Sequence, residues 1–378
     1  MSELMNCTRC EICAAAANIY SSLSFVHLSL LFRLIFEPIA VLGVALLTIA
    51  VYQTRALHFN ARVLLICMTS SVLLCNTGVL LETIYKLYIS FVLPEDLRCE
   101  YQVFRPQYFY VLRAMEVVGG LGLSMSTLSL AAERTLATIT YKTYEKHDRK
   151  WIGVLLMTVQ IILCVGSAIL FRPPMQYYPI VTHEMRNSKE SRIFGSILFS
   201  TNILSFILFT VLYVINRRRK RILGDSQLRV LSTGFQLREN IATTRLMTPV
   251  MFVVALLMVS AQWISYFHTP DLDEQTVVTS KVLEEVVNYA PYCEFQGSLN
   301  TVLTMMLIVL LPLFHVHIKR SFLRISHLRR CFTEESTSAD AVTNDKARDI
   351  YFEKLNSQWG ENAQHSRVNV SSSLASQK

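Results

Sequence analysis

Long apolar runs alternate with short charged segments along this chain. Seven of the runs are long enough to consider as one class: Leu28–Val51, Val63–Leu87, Tyr108–Ala132, Trp151–Phe171, Ile193–Asn216, Leu246–His268 and Phe295–Ile318. Backbone amides inside hydrocarbon must be paired within their own segment, and a helix of about 20 apolar residues does this while crossing a bilayer. Each run closes on charged residues or helix breakers. The pattern therefore predicts an all-α fold, a bundle of seven transmembrane helices over residues 28–318.

Composition sharpens this. A length of 378 residues fits either two soluble domains or one polytopic bundle, but 52% hydrophobic against 17% charged residues favours the bundle. The formal charge of +8 would suit a nucleic-acid partner had the bases formed one face; they sit instead in the joining segments, where they orient helices in a lipid membrane. Segments 53–62, 133–150, 217–245 and 319–331 hold 20 Lys or Arg, against 9 in 1–27, 86–107, 172–192 and 269–294. Bases favour the inside, so the N-terminus (1–27) is expected outside and the C-terminus inside. Asn6-Cys7-Thr8 is then a glycosylation site at Asn6, whereas Asn369-Val370-Ser371 is not modified. No cleaved signal peptide is expected, because the first thirty residues carry only Arg9 and no clear cleavage site.

Within the spans, Arg33 and Glu37 lie one turn apart and are expected to neutralise each other or snorkel. Gly119, Gly120 and Gly122 should let a neighbouring helix approach the third span. After the seventh span, residues 319–332 put Phe322, Ile325 and Leu328 on one stripe, predicting an amphipathic helix on the inner leaflet with Cys331 as a palmitoylation candidate. Residues 333–378 have too little apolar material to fold alone and are expected to form a disordered tail.

Motifs of soluble chemistry are absent from the sequence. There is no Gly-x-Ser-x-Gly elbow, phosphate loop, dinucleotide fingerprint or His-Glu-x-x-His, so neither an enzyme nor a cofactor is expected. His315 and His317, two apart on a helix, point to different faces and make a poor metal pair. The seventh span holds no lysine for a retinal Schiff base. Cys7, Cys10 and Cys13 face an oxidising compartment together with Cys99 and Cys293, which favours disulfides over metal; Cys99 would bridge either to Cys293 or to the N-terminal cluster. A transporter or channel, the main alternative, should leave mid-membrane acidic sites and a repeat between halves, and neither is clear.

Glu133-Arg134-Thr135 ends the third span, and Leu311-Pro312-Leu313-Phe314 lies in the seventh. Ala132–Thr138, Tyr144-Glu145-Lys146 and Arg149–Ile152 together resemble the second inner loop of the nematode serpentine receptors of class epsilon. His58-Phe59-Asn60 and Phe235–Ile241 match the same family, and the likeness covers roughly residues 28–330. It implies a GPCR-like chemosensory receptor in the plasma membrane, in the cilium of a sensory neuron, for an unidentified small-molecule or peptide ligand, coupled to a heterotrimeric G-protein. By the same resemblance Glu133 and Arg134 form the inner switch, where the dipeptide alone would equally mark the cytoplasmic interface; Arg217, Arg218 and Arg219 are leaflet or G-protein contacts, or only topogenic. Arg113 and Glu116 lie about 31 and 27 Å up the helix from Arg134, near the outer mouth, and are ligand candidates or partners of each other. Trp263 and Tyr266 are further pocket candidates, or interfacial anchors.

Overall fold

The computed structural model describes residues 9–21, 25–54, 57–101, 106–140, 150–170, 188–227, 231–270 and 279–326. These form helices α1 (Arg9–Ser21), α2 (Phe25–Gln53), α3 (Phe59–Leu87), α4 (Glu95–Cys99), α5 (Pro106–Ile139), α6 (Lys150–Leu170), α7 (Ser188–Gln227), α8 (Leu231–Phe267), α9 (Ser280–Phe314) and α10 (Val316–Ile325). Tyr88–Val92 continues α3 as one turn of π-helix. The described residues up to Phe322 belong to one compact unit. Asn6, Cys331, Asn369 and residues 333–378 lie outside the described residues.

Six helical stretches among the described residues are long and apolar enough to cross a membrane, and the shorter apolar Trp151–Ser167 in α6 makes the seventh of the predicted spans. The chain is a helical multi-pass membrane protein. The two ends of the bundle are named inner and outer after the orientation that the basic segments predict.

Three helices outrun their apolar runs by more than about ten residues at one end. α7 continues past Asn216 through the five bases to Gln227, α8 begins at Leu231 rather than Leu246, and α9 begins at Ser280 rather than Phe295. Hydropathy ends where lipid ends, but Lys, Arg, Glu and Leu remain good helix formers in water. Thr279 caps α9, its hydroxyl accepting from the Val282 N–H at 3.4 Å. At the other end His315 is extended, and its Nδ1 accepts from the Ile318 N–H at 3.3 Å, starting α10 at Val316 instead of 319.

The outer end carries a cap that the apolar runs do not predict. In α1, Ile12, Ala15, Ala16 and Ile19 form a buried stripe against Val26, Leu30, Leu283, Val286 and Ala290. A disulfide ties Cys13 of α1 to Cys99 of α4. The partner of Cys99 is thus in the N-terminal cluster and is not Cys293, which lies a helix away on α9 beside the same apolar cluster.

Small residues set the closest helix contact. A Cβ on Gly119 of α5 would sit 2.5 Å from the Cys75 backbone nitrogen of α3, and one on Gly122 would overlap Ser71. Gly120 behaves differently from its neighbours: a Cβ there would meet nothing within 4 Å, because it faces a cavity.

Candidate functional site

Among the described residues two charged constellations interrupt the apolar interior, one at each end. The outer one contains charges from four helices. Arg33 of α2 forms an ion pair with Glu294 of α9; Lys86 of α3 pairs with Glu82 one turn earlier and with Glu294 at 2.7 Å. On α5, Arg113 Nη1 meets Glu116 Oε2 at 2.5 Å, and the Glu116 carboxyl also meets that of Glu82. Burying an ion costs several kcal/mol, so such groups persist only when paired. Below them Glu37 accepts a hydrogen bond from Thr301, and the Asn300 amide donates to Cys75 Sγ at 3.0 Å. Arg33 and Glu37 therefore do not serve as each other's main partner: each turns to α9.

These charges form one wall of a cavity of about 280 Å³. Val117, Leu121, Leu198, Leu257 and Met258, from α5, α7 and α8, also line it. Arg113 and Glu116 line the cavity and pair with each other. Trp263 and Tyr266 do not line it. α8 turns Leu257, Met258, Ala261 and Gln262 inward, while Trp263 packs outward on Phe267 and His268, and Tyr266 lies outward under the Arg192 guanidinium at 5.6 Å. In the sequence Lys86 stands at the outer end of the span Val63–Leu87 and Glu294 just before the run that begins at Phe295; Glu82, one turn before Lys86, is the local partner that the spacing offers.

At the inner end Arg134 is 1% exposed. Glu133 grips its guanidinium through two hydrogen bonds of 2.5 and 2.7 Å, and Nη1 donates to Asn240 Oδ1 of α8 at 2.9 Å. Glu239 stands 3.8 Å away and accepts the His58 N–H at 2.6 Å, which links α8 to the start of α3. Arg134 would be solvated if α8 began at Leu246; the earlier start lays a polar turn over the end of α5 and buries it. Of the basic run, Arg219 donates to the Thr138 carbonyl at 2.5 Å, closing the last turn of α5, while Arg217 and Arg218 are exposed. The Asn60 side chain accepts from the Gly153 N–H at 3.3 Å, so the first turns of α3 and α6 also touch.

An all-helical multi-pass bundle with a charged cavity at one end and a buried Glu-Arg pair at the other has the layout of a GPCR-like membrane receptor. Residues 10–295 match the family described as serpentine type 7TM GPCR receptor class ab chemoreceptor, and the chain belongs to that family. Its relatives include, from Caenorhabditis elegans, serpentine receptor class alpha/beta-14, 25% identical over 209 residues covering 54% of this chain and 53% of the relative. Serpentine receptor class epsilon-1 is 26% identical over 260 residues, 63% of this chain and 65% of its own. Serpentine receptor class epsilon-45 is 26% identical over 254 residues, 63% and 62% respectively. The matches thus span less than two thirds of these relatives' lengths. The likeness of the inner segments to nematode serpentine receptors is upheld, and the family is one of chemoreceptors rather than enzymes.

Proposed function

We propose that this protein is a chemosensory receptor of the plasma membrane, in a sensory cilium, that binds an external small molecule or peptide in the outer cavity and activates a heterotrimeric G-protein through its inner end. The N-terminus is outside, with sugar on Asn6, and Cys331 is acylated inside. The observation that carries the reading is the bond from Arg134 to Asn240. It joins α5 to α8, the same two helices that contribute Arg113, Glu116, Leu257 and Met258 to the cavity. A ligand that favours a wider spacing of these helices weakens that bond, and the freed guanidinium can then meet backbone carbonyls of a G-protein helix. Arg217 and Arg218, exposed beside it, offer contacts to the G-protein or to anionic lipid.

Nucleotide exchange with reconstituted G-protein, at matched receptor levels, tests this. Asn240→Ala loosens α8 but keeps the Glu133–Arg134 pair, and it raises basal exchange. Arg134→Ala removes the contact and abolishes exchange. Equal exchange in both variants and in the unaltered receptor would refute the inner switch.

A further inference from the structure

The chemistry of the cavity walls goes further, to the class of ligand; this step rests on the cavity being the ligand site. Its charged wall holds three cations and three carboxyls, so its formal charge does not choose a ligand. Accessibility does. The side chains of Arg33, Lys86, Glu82 and Glu294 are 1–5% exposed and locked together, whereas Arg113 is 33% exposed and Glu116 11%. Of the strong charges, Arg113 is the one an entering molecule meets. A guanidinium has five donors in a planar fork, more than one carboxylate can saturate, so a second oxyanion can share it with Glu116. A cationic head would have to reach carboxyls that are less exposed and already paired. An uncharged ligand would desolvate Arg113 with nothing in return.

The rest of the site is apolar. Leu198, Leu257 and Met258 line it, and the space beside Gly120, one turn from Glu116, is open. The volume corresponds to about nine waters at roughly 30 Å³ each, room for a head group and a chain of several carbons. We propose that the cavity takes a small amphiphile with an oxyanion head, the head on Arg113 and the chain along Leu198, Leu257 and Met258.

Three probes with one chain and different heads test it: octanoate, octanol and octylammonium. The full-length receptor in nanodiscs of zwitterionic lipid is titrated with each, and the thermal unfolding midpoint is read, so that the result does not depend on G-protein coupling. Octanoate is expected to stabilise at about tenfold lower concentration than the other two. Arg113→Gln abolishes the advantage of octanoate over octanol; Arg113→Lys, which keeps the charge and loses the fork, retains part of it. Glu116→Gln, which removes the competing carboxylate, strengthens octanoate. Gly120→Leu fills the open space and removes the response to all three. A response led by octanol or octylammonium, or an octanoate preference that survives Arg113→Gln, overturns the oxyanion assignment while Gly120→Leu still blocks. If Gly120→Leu folds and leaves the octanoate response intact, the cavity itself is not the site. No stabilisation by any probe up to about 1 mM overturns the proposal as well.

Discussion

Glu294 is the hinge of the outer charge cluster, because it is the carboxylate that Arg33 and Lys86 share. At the 2.7 Å separation of Lys86 Nζ and Glu294 Oε1, an effective dielectric of about 20 gives roughly 6 kcal/mol of attraction, which offsets desolvation of several kcal/mol per ion. Glu294→Gln removes that attraction and leaves the desolvation in place. Lys86 still has Glu82, but Arg33, 3% exposed, loses its ion-pair carboxylate. The expected cost is about 3–5 kcal/mol, the range for breaking a buried pair from one side. Replacing both partners, Arg33→Met with Glu294→Met, removes the charges together and should cost far less than either single change, giving a coupling of about 3 kcal/mol in a double-mutant cycle. Thermal unfolding of the receptor in nanodiscs measures all four states. If Glu294→Gln unfolds like the exposed control Arg218→Gln, or if the two Met variants simply add, the cluster does not stabilise the fold in this way.

Arg134→Ala takes from the buried Glu133 carboxylate the guanidinium that binds it twice, so it should cost about 3–5 kcal/mol of stability and lower surface expression; normal levels would mean that the inner end is hydrated. Gly119→Ala forces the backbones of α3 and α5 apart and should cost about 1–3 kcal/mol, while Gly120→Ala stays within about 0.5; similar unfolding midpoints for the two would contradict the helix phase. Cys99 should resist maleimide until reduced, and Cys13→Ser should expose it to labelling; ready labelling of Cys99 in native membranes would exclude the bridge.

The apolar spans were legible because lipid imposes one rule on every crossing segment, and each run from Leu28 to Ile318 obeys it. The stripe Ile12, Ala15, Ala16, Ile19 was not read from the sequence, because it lies outside the long apolar runs and its partners on α9 lie hundreds of residues away. Distance along the chain also hid the charge cluster. Lys86 and Glu294 are 208 residues apart, and each taken alone reads as a charge at the outer edge of an apolar run. Arg134 and Asn240 are 106 apart; the motif Phe235–Ile241 flagged the segment, but nothing local says that Asn240 turns toward α5. Trp263 and Tyr266 failed as pocket residues because aromatic character near an interface does not fix helix phase. The smaller Ala261 and Gln262 face the cavity instead.

What joins the two constellations is that α5 and α8 each run from one to the other, α8 with Pro249 between Asn240 and Leu257. Arg113 and Arg134 lie 21 residues apart on one unbroken helix, about 31 Å, and Leu257 is 17 residues, about 26 Å, from Asn240 on the other. α3 constrains α5 from its far side, since Gly119 and Gly122 leave no room for a shift toward Cys75 and Ser71. α8 meets α5 at the inner end through the polar Arg134–Asn240 and Arg134–Glu239 pairs and through the shared apolar core. An occupant lodged between Arg113 and Met258 shifts the balance between a closed and an open spacing only by its difference in affinity for the two. By linkage, a receptor whose inner bond is already weakened must bind that occupant more tightly by the same factor. On the proposed reading, the Asn240 amide is the point at which inner geometry and outer affinity become one equilibrium.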